Sequence, residues 1–394
     1  MADDRGSSQR LADLGWDERW EAYLQVASSS APVPLVAARV VTGHRGAFVV
    51  QPLLPADDVD APRQAAAAPG TTRSEDGRPS WTAPSLVRVD LATPGNAEGG
   101  EAWPPVVGDW VGLSTRSGEP VIATILPRRT LLERPSASGS AIGQSIAANV
   151  SIVLIVEPMV PEPSPGRIER FTALARAAGA QAWLVLTKAD LAPRSQVEAR
   201  LASLGRHVDA AHAVATTDPD AVADLRGHLD PGTTAVLVGR SGAGKSTLTN
   251  ALIGTQLATS AVRATDAKGR HTTTSRQLLT RDGLTLIDTP GVRALGATAD
   301  GGAIDEAFDD VVVAAASCRY ADCSHTGEPG CAVADAVGAG ALDPERVERY
   351  RRMRREAARL ERRQDARVER AEQRRHSRDA TRGRRGVMRL KGRR

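Results

Sequence analysis

The segment GRSGAGKS, residues 239–246, decides how the middle of this chain folds. A β-branched apolar run, TAVLV, precedes it at 234–238, and a stretch with apolar residues at helical spacing follows at 246–253. Strand, glycine-rich loop and helix in this order predict a phosphate-binding loop, because the loop N–H groups and the helix N-terminus both favour a phosphate. The alternative is a chance glycine-rich turn, which would not require the flanking strand and helix.

The residues of this phosphate loop have separate expected roles. Lys245 is expected to reach the β- and γ-phosphates and to take part in catalysis, and the Ser246 hydroxyl is expected to bind Mg²⁺. The nucleotide-binding residues of the segment are predicted to be Gly239, Ser241, Gly242, Ala243, Gly244, Lys245, Ser246 and Thr247.

A second motif, DTPG at residues 288–291, lies downstream of the phosphate loop. It ends a strand predicted at 284–287, which pairs in a hairpin with residues 277–280. A strand-end carboxylate beside a phosphate loop serves Mg²⁺, usually through water, so Asp288 is a predicted magnesium residue. Gly291 can offer its N–H to the γ-phosphate without a side-chain clash. A strand-end Asp alone is often a turn cap, and the position after the phosphate loop favours the nucleotide role.

The third motif, TKAD at residues 187–190, follows the buried-strand pattern AWLVL. The Asp190 carboxylate can accept hydrogen bonds from guanine N1–H and N2–H₂, a donor pair that adenine lacks. The stem of Lys188 can cover the plane of the base. The chain has only four lysines, so lysine at both nucleotide motifs indicates a chemical requirement. We therefore predict that Thr187, Lys188 and Asp190 form a guanine base reader.

The order of these motifs is rotated. An ordinary small GTPase runs from phosphate loop to DxxG to base reader, whereas here the base reader at 187–190 comes before the phosphate loop at 239–246. This order predicts a circularly permuted α/β P-loop GTPase domain that uses GTP, GDP and Mg²⁺.

A Cys/His cluster in residues 318–331 uses every cysteine of the chain. Three thiolates and an imidazole are the donor set of a closed, structural zinc site, so we predict that this cluster binds one Zn²⁺. The alternative is three free cysteines and a surface histidine. An odd number of cysteines does not suggest a disulfide framework. The predicted zinc ligands are Cys318, Cys323, His325 and Cys331.

A β-rich stretch precedes the nucleotide motifs. Two strand-like runs lie within 33–52, and others lie at 85–91, 107–111 and 121–126. About five short strands fit an N-terminal β-barrel of the OB type, a frequent oligonucleotide binder. The alternative is another small barrel without an RNA role. A segment rich in Ala, Pro, Asp and Gly near 55–80 is expected to be a disordered insertion.

Two flanking segments carry weaker signals. Residues 11–26 predict a short amphipathic helix. Arg128, Arg129 and Arg134 follow the last barrel strand, and both RNA contact and a plain linker role remain open for them.

Taken together, the motifs resemble the circularly permuted GTPases that depend on the small ribosomal subunit, the RsgA (YjeQ) family. The resemblance covers residues 33–360 and implies an OB-fold domain, a permuted GTPase domain and a zinc-bearing helical domain. It also implies late maturation of the small ribosomal subunit, with GTP hydrolysis stimulated by that particle, and hence the subunit and its rRNA as partners. The matching segments are VGDWV at 107–111, LPRRTLLERP at 126–135, QSIAANVSIVLIV at 144–156, TKADL at 187–191, GRSGAGKST at 239–247, GRHTTT at 269–274, DTPGVR at 288–293 and the Cys/His cluster.

Departures from ordinary GTPases bear on the mechanism. Val292 follows DTPG, at the position where an ordinary GTPase has a glutamine that orients the attacking water. Valine has no polar group that could do so. The resemblance implies that His271 of the GRHTTT segment does so instead, and the alternative is a surface histidine of a switch loop. Thr273, with Thr272 next, is expected to be the switch residue that binds Mg²⁺ during catalysis. Thr187 replaces the commoner Asn, which we expect to lower guanine affinity without changing the base recognised.

Charge is distributed unevenly along the chain. The total is +4, but residues 345–394 hold twenty Arg and one Lys against eight acidic residues, so they carry +13 and the remainder carries −9. A basic tail on an acidic body predicts contact with a polyanion such as rRNA, and the alternative is a solvated charged helix. A helix is predicted from Pro344 to Gln373, with a disordered tail beyond residue 382.

The 394 residues suffice for several domains. No apolar run reaches the ~18 residues of a membrane span, and no charged-plus-apolar leader is evident, so we expect a cytoplasmic protein without a membrane partner, and a monomer. The predicted organisation is an N-terminal extension at 1–31, an OB-fold domain at 32–130, a GTPase domain at 131–300, a zinc-binding domain at 301–345 and an Arg-rich helix and tail at 346–394.

Two classes of function compete at this point. One is a GTP-hydrolysing switch that acts on the small ribosomal subunit, and the other is an RNA-binding assembly protein that senses nucleotide with negligible turnover. Intact Lys245, Ser246 and Asp288 favour the first. A third hypothesis keeps the GTPase and moves its target to the large subunit, against which the predicted OB barrel and zinc site argue.

Overall fold

The computed structural model describes residues 14–32, 34–44, 47–52, 85–88, 104–114, 121–134, 144–254, 276–288 and 300–391. The chain divides into two compact units, Met1–Glu133 with Ser145–Leu295 and Arg134–Gln144 with Gly296–Arg394. The insertion predicted near 55–80 lies outside the described residues.

The elements alternate between strands and helices after a strand-rich start. The strands are β1 (Val36–His44), β2 (Ala47–Pro52), β3 (Ser85–Arg88), β4 (Trp110–Ser114), β5 (Val121–Ile125), β6 (Leu131–Arg134), β7 (Gln144–Ala148), β8 (Ile152–Pro158), β9 (Gln181–Thr187), β10 (Ala210–Val214), β11 (Thr234–Val238), β12 (Gln277–Arg281) and β13 (Leu284–Asp288). The helices are α1 (Glu18–Ser29), α2 (Pro165–Ala178), α3 (Arg194–Gly205), α4 (Pro219–Gly227), α5 (Lys245–Ile253), α6 (Gly301–Ala307), α7 (Asp309–Ala315), α8 (Ala332–Gly338) and α9 (Pro344–Lys391).

One half of the main sheet is parallel and carries the nucleotide motifs. Its order is β10-β9-β8-β11-β13, and β12 pairs antiparallel with β13. The chain runs outward through β8, β9 and β10 and then returns to the other side of β8 with β11. Loops on either side of such a reversal diverge and leave a crevice at the carboxyl ends of the strands, where ligands of α/β sheets bind.

The core of this half explains its sequence pattern. All seven residues of β8 and all five of β11 are buried, as expected for parallel strands covered on both faces. Helices α4 and α5 pack their apolar residues, among them Leu225, Leu248 and Leu252, against Leu154 and Leu237 of the sheet. Helix α2 packs on β8 and β9. The phosphate loop therefore leaves a rigid strand.

The other half of the sheet is antiparallel, with the order β3-β2-β1-β4-β5. Its apolar residues, including Val40, Val111 and Ile125, form a separate core. Strand β1 also pairs with β12, at Thr42 and Gln277, and the Thr42 hydroxyl donates to the Arg276 carbonyl at 2.6 Å. One continuous sheet thus joins the N-terminal strands to the nucleotide half.

Buried Arg39 holds this junction together. Its guanidinium donates to the Leu14 carbonyl and to the Thr234 hydroxyl, the latter at 2.7 Å, and it lies over the Trp110 ring at 4.8 Å. Burial lowers the pKa of Arg39 to about 9, against the opposing effect of Asp109. Strand β1 is therefore tied to the first residue of β11, the strand that leads into the phosphate loop.

A second buried pair explains two segments of the family resemblance. Asp109 of VGDWV is fully buried and accepts from Arg128 of LPRRTLLERP at 2.7 and 2.8 Å. Arg129 instead lies over the Trp20 ring and pairs with Asp17. These contacts give Arg128 and Arg129 a role in the fold, in addition to the RNA-contact and linker roles predicted from the sequence.

Helix α1 begins later than its sequence pattern predicts. The pattern indicated residues 11–26, whereas the helix runs from Glu18 to Ser29. The Asp17 carboxylate accepts from the N–H groups of Arg19 and Trp20 and so starts the helix there. Gly15, with a φ of 84°, has left-handed backbone just before it.

The second unit is helical. Helix α9 begins where Asp343-Pro344 predicts, and the Asp343 carboxylate accepts from the Glu345 N–H at 2.9 Å. Near its start, Arg346 forms a two-pronged ion pair with Asp310 and covers the Phe308 ring. The helix continues to Lys391, so the predicted end near Gln373 and the disordered tail beyond residue 382 are wrong. Residues 374–391 contain seven Arg, with Met388, Leu390 and Lys391 near the end, and these good helix formers outweigh Gly383 and Gly386.

No helix in the described part of the chain combines the length and the apolar character that crossing a bilayer requires.

Candidate functional site

The phosphate loop connects β11 to α5, as the sequence predicts. Lys245 turns back over the loop, and its ammonium donates to the carbonyls of Gly239 and Arg240 at 2.7 Å each. Helix α5 begins after Gly244 without a side-chain cap, so its first N–H groups can bind an anion. A phosphate would meet backbone donors and a single compact cation here.

Two glycines of the loop are required by its backbone. Gly239 has a φ of 142°, and a side chain there would overlap the backbone oxygen of Val156 on β8. Gly244 has a φ of 93°, and a Cβ there would lie 3.3 Å from the Thr187 hydroxyl. The phosphate loop therefore fits closely against the ends of β8 and β9.

Thr187 joins the base reader to the phosphate loop. It is 1% exposed at the end of β9, and its hydroxyl donates to the Ala243 carbonyl at 2.6 Å. The two motifs lie 56 residues apart in the chain, yet they share this buried hydrogen bond. Replacing the commoner Asn with Thr thus retains a donor that can link the two loops.

The rest of the base reader projects from the same edge of the sheet. Lys188 has left-handed backbone with a φ of 56°, and Asp190 is exposed in the single 3₁₀ turn Ala189–Leu191. Because β9 and β11 flank β8 in parallel and β13 runs parallel to β11, the carboxyl ends of these strands lie along one edge of the sheet. Asp288, at the carboxyl end of β13, is half-buried at that edge too. The described residues of the three motifs therefore lie along the same edge of the sheet.

Three predicted site residues, His271, Thr273 and Gly291, lie outside the described residues. Their roles as water-orienting group, switch ligand of Mg²⁺ and γ-phosphate donor stay predictions. Strands β12 and β13, which follow the first two and precede the third, form the hairpin that the sequence predicts.

The Cys/His cluster converges in the second unit. The ligand atoms of Cys318, Cys323, His325 and Cys331 all lie within 4.8 Å of one another. The His325 Nδ1 lies 3.6 Å from the Cys318 Sγ and 3.7 Å from the Cys331 Sγ. Ligands at the usual 2.0–2.3 Å from a tetrahedral zinc are roughly this far from each other. The residues present therefore fit a divalent metal of the zinc type.

The electrostatics of the cluster suit a cation. Burial lowers the pKa of His325, as does nearby Arg351, while Glu328 acts in the opposite sense, so the imidazole is neutral and can ligate. The N–H of His325 lowers the pKa of Cys323, but burial and the neighbouring thiols raise it to about 11. A bound dication reverses this preference for the protonated thiol, because it stabilises the thiolate.

Glu328 is a residue of this site that the sequence pattern did not identify. Its carboxylate accepts from the N–H groups of Ser324 and Thr326 at 3.0 and 2.7 Å. The Cys323 Sγ lies 3.7 Å from the same carboxylate. The Ser324 hydroxyl and these N–H groups hold the pKa of Glu328 well below its usual range, so it stays ionised and shapes the loop.

Known proteins share both the sequence and the fold. The profile of the RsgA GTPase family matches residues 125–298. A small ribosomal subunit biogenesis GTPase RsgA from Xanthomonas axonopodis pv. citri is 40% identical over 375 residues, which cover 91% of each chain. This chain belongs to the RsgA family. A relative of the same name from Xanthomonas euvesicatoria pv. vesicatoria is 39% identical with the same coverage. As a member of the RsgA family, the chain is a GTPase, and the family predicted from its motifs is confirmed.

Two solved structures share the fold of this RsgA family member. YjeQ from Thermotoga maritima matches with a TM-score of 0.56 and 23% identity, over 82% of this chain and 99% of that one. YloQ, described as a circularly permuted GTPase, matches with a TM-score of 0.53 and 21% identity, over 82% and 95%. The fold is thus that of a circularly permuted P-loop GTPase.

A second profile also matches. The profile of 50S ribosome-binding GTPases matches residues 234–363, which begin at β11. That range contains the phosphate loop and Asp288 but leaves out the base reader at 187–190.

Proposed function

We propose that this chain binds the small ribosomal subunit late in its maturation and hydrolyses GTP to GDP and phosphate, with stimulation by the subunit. The observation that carries the proposal is the Thr187–Ala243 hydrogen bond, which unites base reader and phosphate loop in a chain 40% identical to a small ribosomal subunit biogenesis GTPase. The guanine base would meet Asp190 and Lys188, and the phosphates would meet the loop and Lys245.

Mg²⁺ fits the donors at this edge. The Ser246 hydroxyl follows Lys245 at the start of α5, Asp288 ends β13, and Thr273 would complete the set from the switch segment. When bound, the ion neutralises charge on the β- and γ-phosphates. The protein residues orient the γ-phosphate. The Lys245 ammonium would donate to phosphate oxygens in place of the two loop carbonyls, and the N-terminus of α5 favours the negative charge of the phosphates.

A polar group must still position the attacking water. Val292 cannot do so, and His271 lies in the segment that enters β12. Strand β12 pairs with β1 of the N-terminal strands, so this segment is anchored at its downstream end. We assign His271 the water-orienting role and Thr273 the magnesium role on these grounds.

The flanking parts supply the ribosome-binding surfaces in this proposal. An OB-type barrel at 32–130 is supported by the strand order β3-β2-β1-β4-β5. The two end strands of this order, β3 and β5, also contact each other, as strands of a barrel do. The GTPase domain takes residues 131–300, and a zinc domain at 301–345 is supported by the Cys/His cluster. The Arg-rich residues 346–394 would contact rRNA phosphates. A cytoplasmic monomer suits this role.

GTP turnover tests the proposal directly. We would measure hydrolysis by the full chain alone, with purified small subunits and with purified large subunits. We expect stimulation by small subunits only. Stimulation by large subunits alone would mean that the large subunit is the target. No stimulation by either would favour an RNA-binding protein that only senses nucleotide.

The His271 assignment has its own variant in this assay. His271→Ala should lower stimulated turnover and leave GDP affinity unchanged, since the residue lies outside the phosphate loop and base reader. Unchanged stimulated turnover would remove His271 from the mechanism and leave the subunit dependence standing.

A further inference from the structure

A second cluster of metal-ligating side chains lies on the nucleotide unit, away from the Cys/His cluster in sequence. His212 belongs to β10, Asp224 lies in the last turn of α4, and His228 follows that helix directly. One ligand atom from each of the three lies within 4.8 Å of the others. The two imidazole rings are 4.8 Å apart between centroids.

His212 has an unsatisfied ring nitrogen. Its Nε2 is buried and has no hydrogen-bond partner among the described residues. A buried polar atom without a partner is costly, so such an atom calls for a ligand, a water or an ion. The ring also packs against Trp183 of β9, at 5.5 Å between centroids.

His228 is fixed in a tautomer that suits metal binding. Its Nδ1 lies 2.8 Å from the backbone carbonyl of Asp224. A carbonyl can only accept, so Nδ1 carries the proton and Nε2 keeps its lone pair. A hydrogen bond from the non-ligating nitrogen to a carbonyl is the usual way that proteins orient a metal-binding histidine.

We propose that His212, Asp224 and His228 form a second transition-metal site, for a cation of the Zn²⁺ class. Two imidazoles and a carboxylate are three protein ligands of a tetrahedral zinc site, and water completes the set. Asp224 and His228 are exposed, so their side chains can move towards the metal, whereas His212 is held by packing against Trp183. The cation would satisfy the buried Nε2 and the carboxylate together.

The position of this site has a consequence for the nucleotide unit. A metal there would close a ring from His212 to His228 that contains residues 215–218, the loop between β10 and α4. This loop leaves the edge of the sheet at which the base reader of β9 also lies. The bound metal would therefore brace the loop beside the guanine site.

Metal titration of the full chain tests this site. The protein is first equilibrated with Zn²⁺ and desalted, and its zinc content is measured, so that tightly bound metal at the cysteines is accounted for. Calorimetric titration with Zn²⁺ should then show one additional equivalent. His228→Ala and the double variant Asp224→Asn with His228→Ala should lose that equivalent and keep the initial zinc content. His207→Ala, which removes a histidine of the same unit outside the cluster, should retain it.

Cobalt gives a second readout. Co²⁺ bound in the additional site should give weak visible bands without the intense sulfur-to-cobalt bands of a thiolate site, and these weak bands should disappear in His228→Ala. A total of one zinc per chain, counting the metal retained after desalting and the metal taken up in the titration, would overturn the proposal. Persistence of the additional equivalent in the double variant, or thiolate-type bands for that equivalent, would do so as well.

Discussion

The Thr187 hydroxyl at the end of β9 donates to the Ala243 carbonyl in the phosphate loop at 2.6 Å. In this permuted chain the base reader precedes the phosphate loop, so no short connection holds the two together. The buried hydrogen bond does so instead, beside Gly244, where any side chain would crowd the threonine. The motifs predicted to recognise guanine and to bind phosphate are thereby fixed relative to each other.

Removing the Thr187 hydroxyl should weaken nucleotide binding. Thr187→Val keeps the shape and β-propensity of the residue but leaves the Ala243 carbonyl unsatisfied, which costs about 1–3 kcal/mol. If that cost falls on binding, GDP affinity measured by calorimetry should fall by roughly 5-fold to 150-fold. Thr187→Ser, which retains the donor, should bind GDP almost as the unaltered chain does. Equal affinities for the Val and Ser variants would show that the hydrogen bond does not organise the site.

The buried Asp109–Arg128 ion pair should matter far more than an exposed pair of the same length. Asp109→Asn leaves the Arg128 charge buried without its counter-charge, which should reduce the free energy of unfolding by about 3–5 kcal/mol. Arg194 and Glu198 also pair at 2.7 Å, but their side chains are 92% and 61% exposed. Glu198→Ala should therefore change stability by under ~0.5 kcal/mol. Similar denaturation midpoints for both variants would refute this ranking.

The Cys/His cluster should hold one Zn²⁺ that the second unit needs for folding. Binding free energies of structural zinc in small domains are about 10–16 kcal/mol, larger than the stability of most domains. Cys323→Ala should therefore remove the tightly bound zinc equivalent from the desalted protein in elemental analysis and expose residues 300–345 to proteolysis. GDP affinity should be retained, because every described residue of the nucleotide site belongs to the other unit. Metal-free protein with an intact second unit would contradict the prediction.

The Arg-rich end of α9 should contribute to binding of small subunits through phosphate contacts. Truncation at residue 373 removes eleven basic groups, counting His376 when protonated. If a third of them contact rRNA, the slope of log affinity against log salt should flatten by about two to three units, at ~0.7 per contact. Replacing the arginines of 374–394 by lysine keeps the charge and should keep the slope. A truncated chain with an unchanged slope would mean that this end of the helix is solvated.

Much of the nucleotide half could be predicted from the sequence, because its motifs are local. An apolar run, a glycine-rich segment and a helical apolar pattern follow one another at 234–253 and predict β11, the phosphate loop and α5. Two apolar runs around Asp282-Gly283 predict the hairpin of β12 and β13. Glycines with a required backbone conformation and strand-end polar residues mark these sites directly.

The remainder depends on contacts between distant parts of the chain. The sequence does not show that Arg39 donates a hydrogen bond to Thr234, 195 residues away, or that Arg128 forms an ion pair with Asp109. The cluster of His212, Asp224 and His228 spans a strand and a helix without a recognisable spacing. The predicted start of α1 was wrong because the Asp17 cap begins the helix later than the apolar pattern indicates. The predicted end of α9 was wrong because the helix continues beyond Gln373 through its glycines.

The central claim is that the base reader and the phosphate loop form one guanine-nucleotide site despite their rotated order. Asp190→Asn tests it most directly, because an amide presents one acceptor and one donor where guanine requires two acceptors. Xanthine has a carbonyl in place of the guanine N2–H₂, so it matches the amide. Binding of GTP, ATP and xanthosine triphosphate is measured for the unaltered chain and the variant.

We predict that the unaltered chain binds GTP and neither of the others. The variant should lose GTP affinity by on the order of 2–4 kcal/mol and bind xanthosine triphosphate in its place. A variant that binds GTP like the unaltered chain, or an unaltered chain that binds ATP and GTP equally, would contradict the account.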